Sequence, residues 1–127
     1  MAKATQFCIC LPNKIGVLAK LCGVLKRAKV NIEAISVADN ADCCCARLIA
    51  SPTRAAKAAL TKAKHHFCTQ QVLTVTAPNK PGQLERIAAR LAKARVNINY
   101  VYGSTGAGES GKIVLAVSNV SRAAKVV

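Results

Sequence analysis

The chain is short of the residue types that most active sites are made from. Its only carboxylates are Glu33, Asp39, Asp42, Glu85 and Glu109, five against 19 lysines and arginines in 127 residues. None lies in the repeated loop described below, so no carboxylate pair is offered for acid–base work, and no Ser-His-Asp or Cys-His arrangement can be drawn. Aromatic residues make up 3% of the chain, and tryptophan is absent. That removes the stacking platform on which small RNA-binding modules hold their bases. No apolar run approaches the roughly 20 residues of a membrane span. The start, MAKATQFCIC, lacks the apolar stretch and small-residue cleavage site of a secretory signal. Seven cysteines without an export signal fit a reducing compartment, so a cytoplasmic location is expected.

What the chain does have is a repeat. Residues Leu11 to Val37 read LPNKIGVLAKLCGVLKRAKVNIEAISV, and Ala77 to Gly103 read APNKPGQLERIAARLAKARVNINYVYG; ten of these 27 positions are identical at an offset of 66. Arg-Ala-Ala-Lys recurs at Arg54 and again at Arg122. A repeat sets the unit of folding. Two units follow, residues 1–69 and 70–127. Each is near the lower limit for stability alone, which favours association.

Each unit has a legible order. Phe7, Ile9 and Leu11 alternate with Cys8 and Cys10, the mark of a half-buried strand. Pro12 to Gly16 breaks it. Leu18, Leu21, Cys22, Leu25 and Ala28 then recur at helical spacing. Val30 to Ala38 and Cys43 to Ala50 are strands about a turn at Asp39 to Asp42. Ser51 or Thr53 is the expected cap of a second helix, and His65 to Gln70 a short closing strand. The second unit repeats this: Leu73, Val75 and Ala77 open it; Leu84, Ile87, Ala88, Leu91 and Ala94 form its stripe. Strands follow at Asn97 to Tyr102 and Lys112 to Ser118, then a helix with Ser121 as its cap. The second unit is expected to lack its closing strand and to leave an open edge that seeks a partner. The pattern is β-α-β-β-α-β twice in tandem, an α+β, ferredoxin-like arrangement with an antiparallel sheet and helices on one face.

The segment strand, Pro-Asn-Lys-x-Gly-x-Leu, helix, Val-Asn-Ile, strand resembles the ACT regulatory domain, in two copies covering nearly the whole chain. The resemblance implies a non-enzymatic regulator that binds an amino acid or similar small ligand, works as a homodimer and controls a separate enzyme. No cofactor and no membrane partner is expected.

The residues make their own case for a site in the loops. Gly16 and Gly82 lack a Cβ beside the backbone. The helix start after each glycine favours a carboxylate. Asn13 and Asn79 offer donor and acceptor, and Lys14 and Lys80 a cation. The expected site comprises Asn13, Lys14, Ile15, Gly16, Val17, Leu18 and Asn31 in the first copy, and Asn79, Lys80, Pro81, Gly82, Gln83, Leu84 and Asn97 in the second. Asn31 and Asn97 are expected at the same end of the sheet as the loops.

Other signals are weaker. None of the cysteines recurs between copies, no Cys-x-x-Cys pair exists, and the reading is small buried hydrophobes, not metal ligands. Gly106 to Lys112 fits the start of a phosphate loop. Ile113 replaces the needed Ser or Thr, and a strand-like stretch replaces the helix. The net charge of +14 divides as +8 over residues 1–66 and +6 over 67–127, mostly on expected helices. Spread in this way it reads as solvated helix faces. An RNA- or polyanion-binding module on the same strand order is the alternative, favoured by charge and opposed by the missing aromatics.

Overall fold

The structure, a computed structural model, describes residues 2–40, 43–104 and 110–127. The elements run β1 (Ala2–Pro12), α1 (Val17–Arg27), β2 (Asn31–Asn40), β3 (Cys43–Ser51), α2 (Thr53–Lys62), β4 (Phe67–Pro78), α3 (Gln83–Lys93), β5 (Ile98–Ser104), β6 (Ser110–Val117) and α4 (Val120–Val126). This is the expected double β-α-β-β-α order. One feature differs: the closing strand of the first copy and the opening strand of the second are a single strand, β4. The chain divides into two compact units, Thr5–Gln70 and Met1–Ala4 with Gln71–Val127.

In the unit Thr5–Gln70 the strand order is β2-β3-β1, followed by the Phe67–Gln70 part of β4. Antiparallel register sets Phe7 opposite Leu48 and Ile9 opposite Ala46. Period-2 alternation therefore sends Phe7, Ile9 and Leu11 to one face, where they meet Leu21 and Leu25 of α1 and Ala56 and Leu60 of α2. The Phe67 ring meets Phe7 with centroids 5.7 Å apart, a tilted aromatic contact.

In the other unit β4 is followed by β6 and β5, and Leu73 pairs with Leu115, Val75 with Ile113. Leu73, Val75, Ile87, Leu91, Leu115 and Ala123 form its core. The edge of β4 expected to be open is occupied: β1 lies next to β4, and its residues up to Ala4 belong to this unit. The alternation of Phe7, Ile9 and Leu11 does not reach these residues, and the expectation left them out.

Helix ends show what local sequence decides. Lys29, Lys64 and Arg95 have φ of 59°, 61° and 60°, a left-handed conformation. After α1, Lys29 N–H donates to Lys26 C=O and Val30 N–H to Leu25 C=O. These two bonds satisfy the last carbonyls, and α2 and α3 close the same way. The cationic side chains also suit the negative end of the helix. Two cap assignments from sequence are corrected. Pro52 is the N-cap of α2, with no side-chain cap bond, and Thr53 lies inside the helix. Asn119, not Ser121, caps α4, its Oδ1 accepting from Arg122 N–H at 2.9 Å.

Leu18 and Leu84 do not join the buried stripes of their helices and stay exposed. Both stand in the first turn, beside the loop rather than over the sheet. Among the described residues no helix is long and apolar enough to cross a membrane. The turn expected at Asp39 to Asp42 falls partly on residues outside the described set. The phosphate-loop look-alike does too, although its Gly111 and Lys112 belong to strand β6.

Candidate functional site

The two strand-to-helix loops have the same backbone. Lys14 N–H donates to Pro12 C=O at 2.9 Å, and Lys80 N–H to Pro78 C=O at 2.9 Å. Gly16 and Gly82 are the N-caps, at φ 85° and 87°, and a glycine has no side chain with which to make a cap bond. A Cβ on either glycine would meet nothing within 4 Å. Conformation alone therefore selects glycine here, since an L side chain at this φ is strained. The space beside each Cα stays open to a ligand.

The second loop borders a cleft. Its volume is about 550 Å³, and its wall runs from Ala77 through Leu84, with Val101, Tyr102, Gly103 and Ile113 opposite. The sequence-predicted Asn79, Lys80, Pro81, Gly82, Gln83 and Leu84 all line it. Its walls combine apolar side chains with a few polar groups and a helix start, the usual make-up of a small-molecule site. Glu85 stands in the first turn of α3 without lining the cleft.

Gly103 sets the floor. It pairs with Ile113 across β5 and β6. A Cβ there would stand 2.8 Å from the Lys112 carbonyl oxygen and 3.2 Å from Ile113 Cα. Only glycine lets β5 run this close. Sequence reasoning missed Ala77, Pro78, Val101, Tyr102, Gly103 and Ile113 as cleft residues. The available signal was the break in the repeat, Gly103 standing where the first copy has Val37, since a lone glycine in a strand often marks a close approach.

In the first copy Asn13, Lys14, Ile15, Gly16 and Leu18 are exposed, and Val17 packs on the core. Ile35 and Val37 on the neighbouring edge strand are also exposed.

Asn31 and Asn97 are not brought to the loops. Asn97 N–H donates to Ser118 Oγ at 3.0 Å, and its side-chain amide donates to Asn99 Oδ1 at 2.9 Å. Asn31 shares a shallow hollow with Lys26, Lys29 and Ile32 beside the end of α1. The reason is the crossover: a β-α-β unit returns the chain along its helix, so the next strand starts at the far end from the loop. The end of β5, not its beginning, reaches the cleft. The expectation of one shared end is corrected.

Tyr100 and Tyr102 are on edge strand β5, stacked on one another with ring centroids 6.5 Å apart, and half-buried. They do not spread aromatic rings over central strands as a base-stacking surface does.

The chain matches the family described as an ACT domain pair over residues 2–127. It is similar to a solved protein from Bacteroides thetaiotaomicron, at 30% identity over 98% of this chain and 85% of that one, with a TM-score of 0.91. It shares its fold with the regulatory subunit of aspartate kinase from Thermus thermophilus, at 14% identity, TM-score 0.71, covering 99% of this chain and 91% of that one. The corresponding subunit from Thermus flavus is similar at 14% identity and TM-score 0.67, over 98% of this chain and 89% of that one. Among curated proteins nothing matches.

Proposed function

This chain belongs to the ACT domain pair family, and on that premise we propose that it is a non-enzymatic regulator that binds a free amino acid in the cleft of its second copy. The observation that carries the reading is the coincidence of the repeated Asn-Lys-x-Gly loop with that cleft. The ligand carboxylate meets the start of α3 at Gly82, Gln83 and Leu84, where backbone N–H groups lack helical partners. Asn79 orients it, and Lys80 adds a cation. The ligand side chain lies toward Leu84 and Val101, both exposed in the single chain. A second copy of the chain laid on this apolar edge closes the cleft, so that occupancy alters the homodimer and signals to a separate enzyme. The Thermus thermophilus relative is itself named as a regulatory subunit of a kinase, and a chain so poor in carboxylates suits the same division of labour.

The test is a thermal-shift screen of the free amino acids against the full chain and its Asn79→Ala, Lys80→Ala double variant. One amino acid, or a small related set, raises the melting temperature of the parent and not of the variant. No shift with any amino acid, or an equal shift in both proteins, refutes the assignment.

A further inference from the structure

The described cysteines are not the small buried hydrophobes expected from the sequence. Of those described, Cys10 and Cys68 are exposed and Cys8, Cys22 and Cys45 are half-buried; all five are free thiols. Four of them gather on one face of the unit Thr5–Gln70. Phe7, Ile9 and Leu11 point to the helices, so Cys8 and Cys10 point the other way. Ala46 and Leu48 are core, so Cys45 emerges on that same outer face. Cys68 follows Phe67, which packs on the core, and shares the face too. The strand order β3-β1-β4 puts the two thiols of β1 between the other two.

Register singles out one pair. Cys10 stands directly opposite Cys45. The Cys10 N–H donates to His66 C=O at 3.3 Å, at the opening of β4 and away from β3. In an antiparallel strand the N–H and C=O of one residue point to the same side. Cys10 and Cys45 are therefore a non-hydrogen-bonded pair, the kind with Cα atoms about 4.5 Å apart and side chains closest. Disulfides span Cα separations of about 4.4–6.8 Å.

Cys8 is placed differently. Burial pushes its thiol up, and Cys68, which is also its hydrogen-bond partner, and Cys45 add to the rise against a lowering hydrogen bond from Gln6. The Gln6 amide donates to Cys8 Sγ at 3.5 Å. A thiol held protonated is a poor nucleophile. A metal centre fits less well than a dithiol, because the sheet presents these thiols side by side. Among the described residues no group of three or more ligands converges on one point.

We propose that Cys10 and Cys45 are a reversible dithiol, a modification site on the outer face of the first unit that exchanges with small-molecule disulfides. Cys10, the exposed partner, gives up its proton and attacks one sulfur of the small disulfide. The S–S bond breaks, one small thiolate leaves, and a mixed disulfide remains on Cys10. Cys45 loses its proton and attacks the Cys10 sulfur, expelling the second small thiolate. The two protons end on the two small thiols. Two electrons have passed from the protein to the small disulfide, and an excess of small thiol drives the exchange back. The bridge joins β1 to β3 just before the Pro12 to Gly16 loop.

The experiment uses the full chain incubated with oxidised glutathione, then alkylated and mapped by trypsin without reduction. The expected product is an intramolecular cross-link between the Ala4–Lys14 and Val30–Arg47 peptides, formed in the parent and in Cys8→Ser. It is lost in Cys10→Ser and in Cys45→Ser, and it disappears when reduced glutathione is added. Circular dichroism of each variant shows that the fold is retained, so that a lost cross-link reports the thiol and not unfolding. A cross-link that survives in Cys10→Ser or Cys45→Ser, or a parent that stops at mixed disulfides, overturns the proposal.

Discussion

The loops at Asn13–Leu18 and Asn79–Leu84 share their backbone and differ in their surroundings. Lys20 N–H donates to Gly16 C=O at 3.0 Å, and Arg86 N–H donates to Gly82 C=O at 3.0 Å, so both helices begin alike. The difference lies across the cleft. In the first copy Val37 pairs with Ala46; in the second Gly103 pairs with Ile113. The bulk has moved from the edge strand to its inner neighbour. The two copies agree in the loop that the proposal assigns to a carboxylate and differ in the floor beside it.

The most disruptive way to break this comparison is to give the second copy the residue of the first. Gly103→Val drives a side chain against the Lys112 carbonyl, which a Cβ alone would approach to 2.8 Å. It should cost about 1–3 kcal/mol in urea unfolding through overpacking and abolish ligand-induced thermal shift. The reciprocal Val37→Gly, at an exposed edge position, should cost about 1 kcal/mol or less. Equal losses from the two would mean that the floor is not the distinguishing feature.

A milder pair sharpens the likeness. Gly16→Ala and Gly82→Ala each put a Cβ at positive φ in open space. Each should lose about 1–2 kcal/mol, and the two losses should agree. A large inequality in denaturant midpoints would show that the loops are held differently. The smallest contrast concerns the second helix of each copy. Asn119→Ala removes the cap bond to Arg122 and should cost about 1 kcal/mol, whereas Thr53→Ala removes no cap. Thermal unfolding of the two variants separates them, and a Thr53 effect as large as that of Asn119 would contradict the assigned caps.

The order of elements was legible in the sequence because each copy repeats its apolar spacing and its loop. Leu21, Leu25, Ile87 and Leu91 were read as buried and are. The loop half of the site was legible for the same reason, since Asn79 to Leu84 echo Asn13 to Leu18. What escaped depends on where the chain is in space, not on its local pattern. Gly103 becomes a cleft floor only once β5 returns to the loop. Asn97 leaves the cleft because the crossover carries it to the far end. The thiols come together only through register, Cys10 meeting Cys45 across 34 intervening positions of sequence. Cap choice failed on a finer scale, because Ser121 and Asn119 both have the chemistry and only backbone geometry decides between them.

Ala2 to Ala4 fold with residues that follow Gln71. During synthesis these residues leave the ribosome long before the strand they lie beside exists. The unit Thr5–Gln70 is whole in sequence while Ala2 to Ala4 still wait for their partners. The second unit becomes whole only when they are captured. A bulky insertion just ahead of them would therefore burden the later unit, not the one nearest to it in sequence.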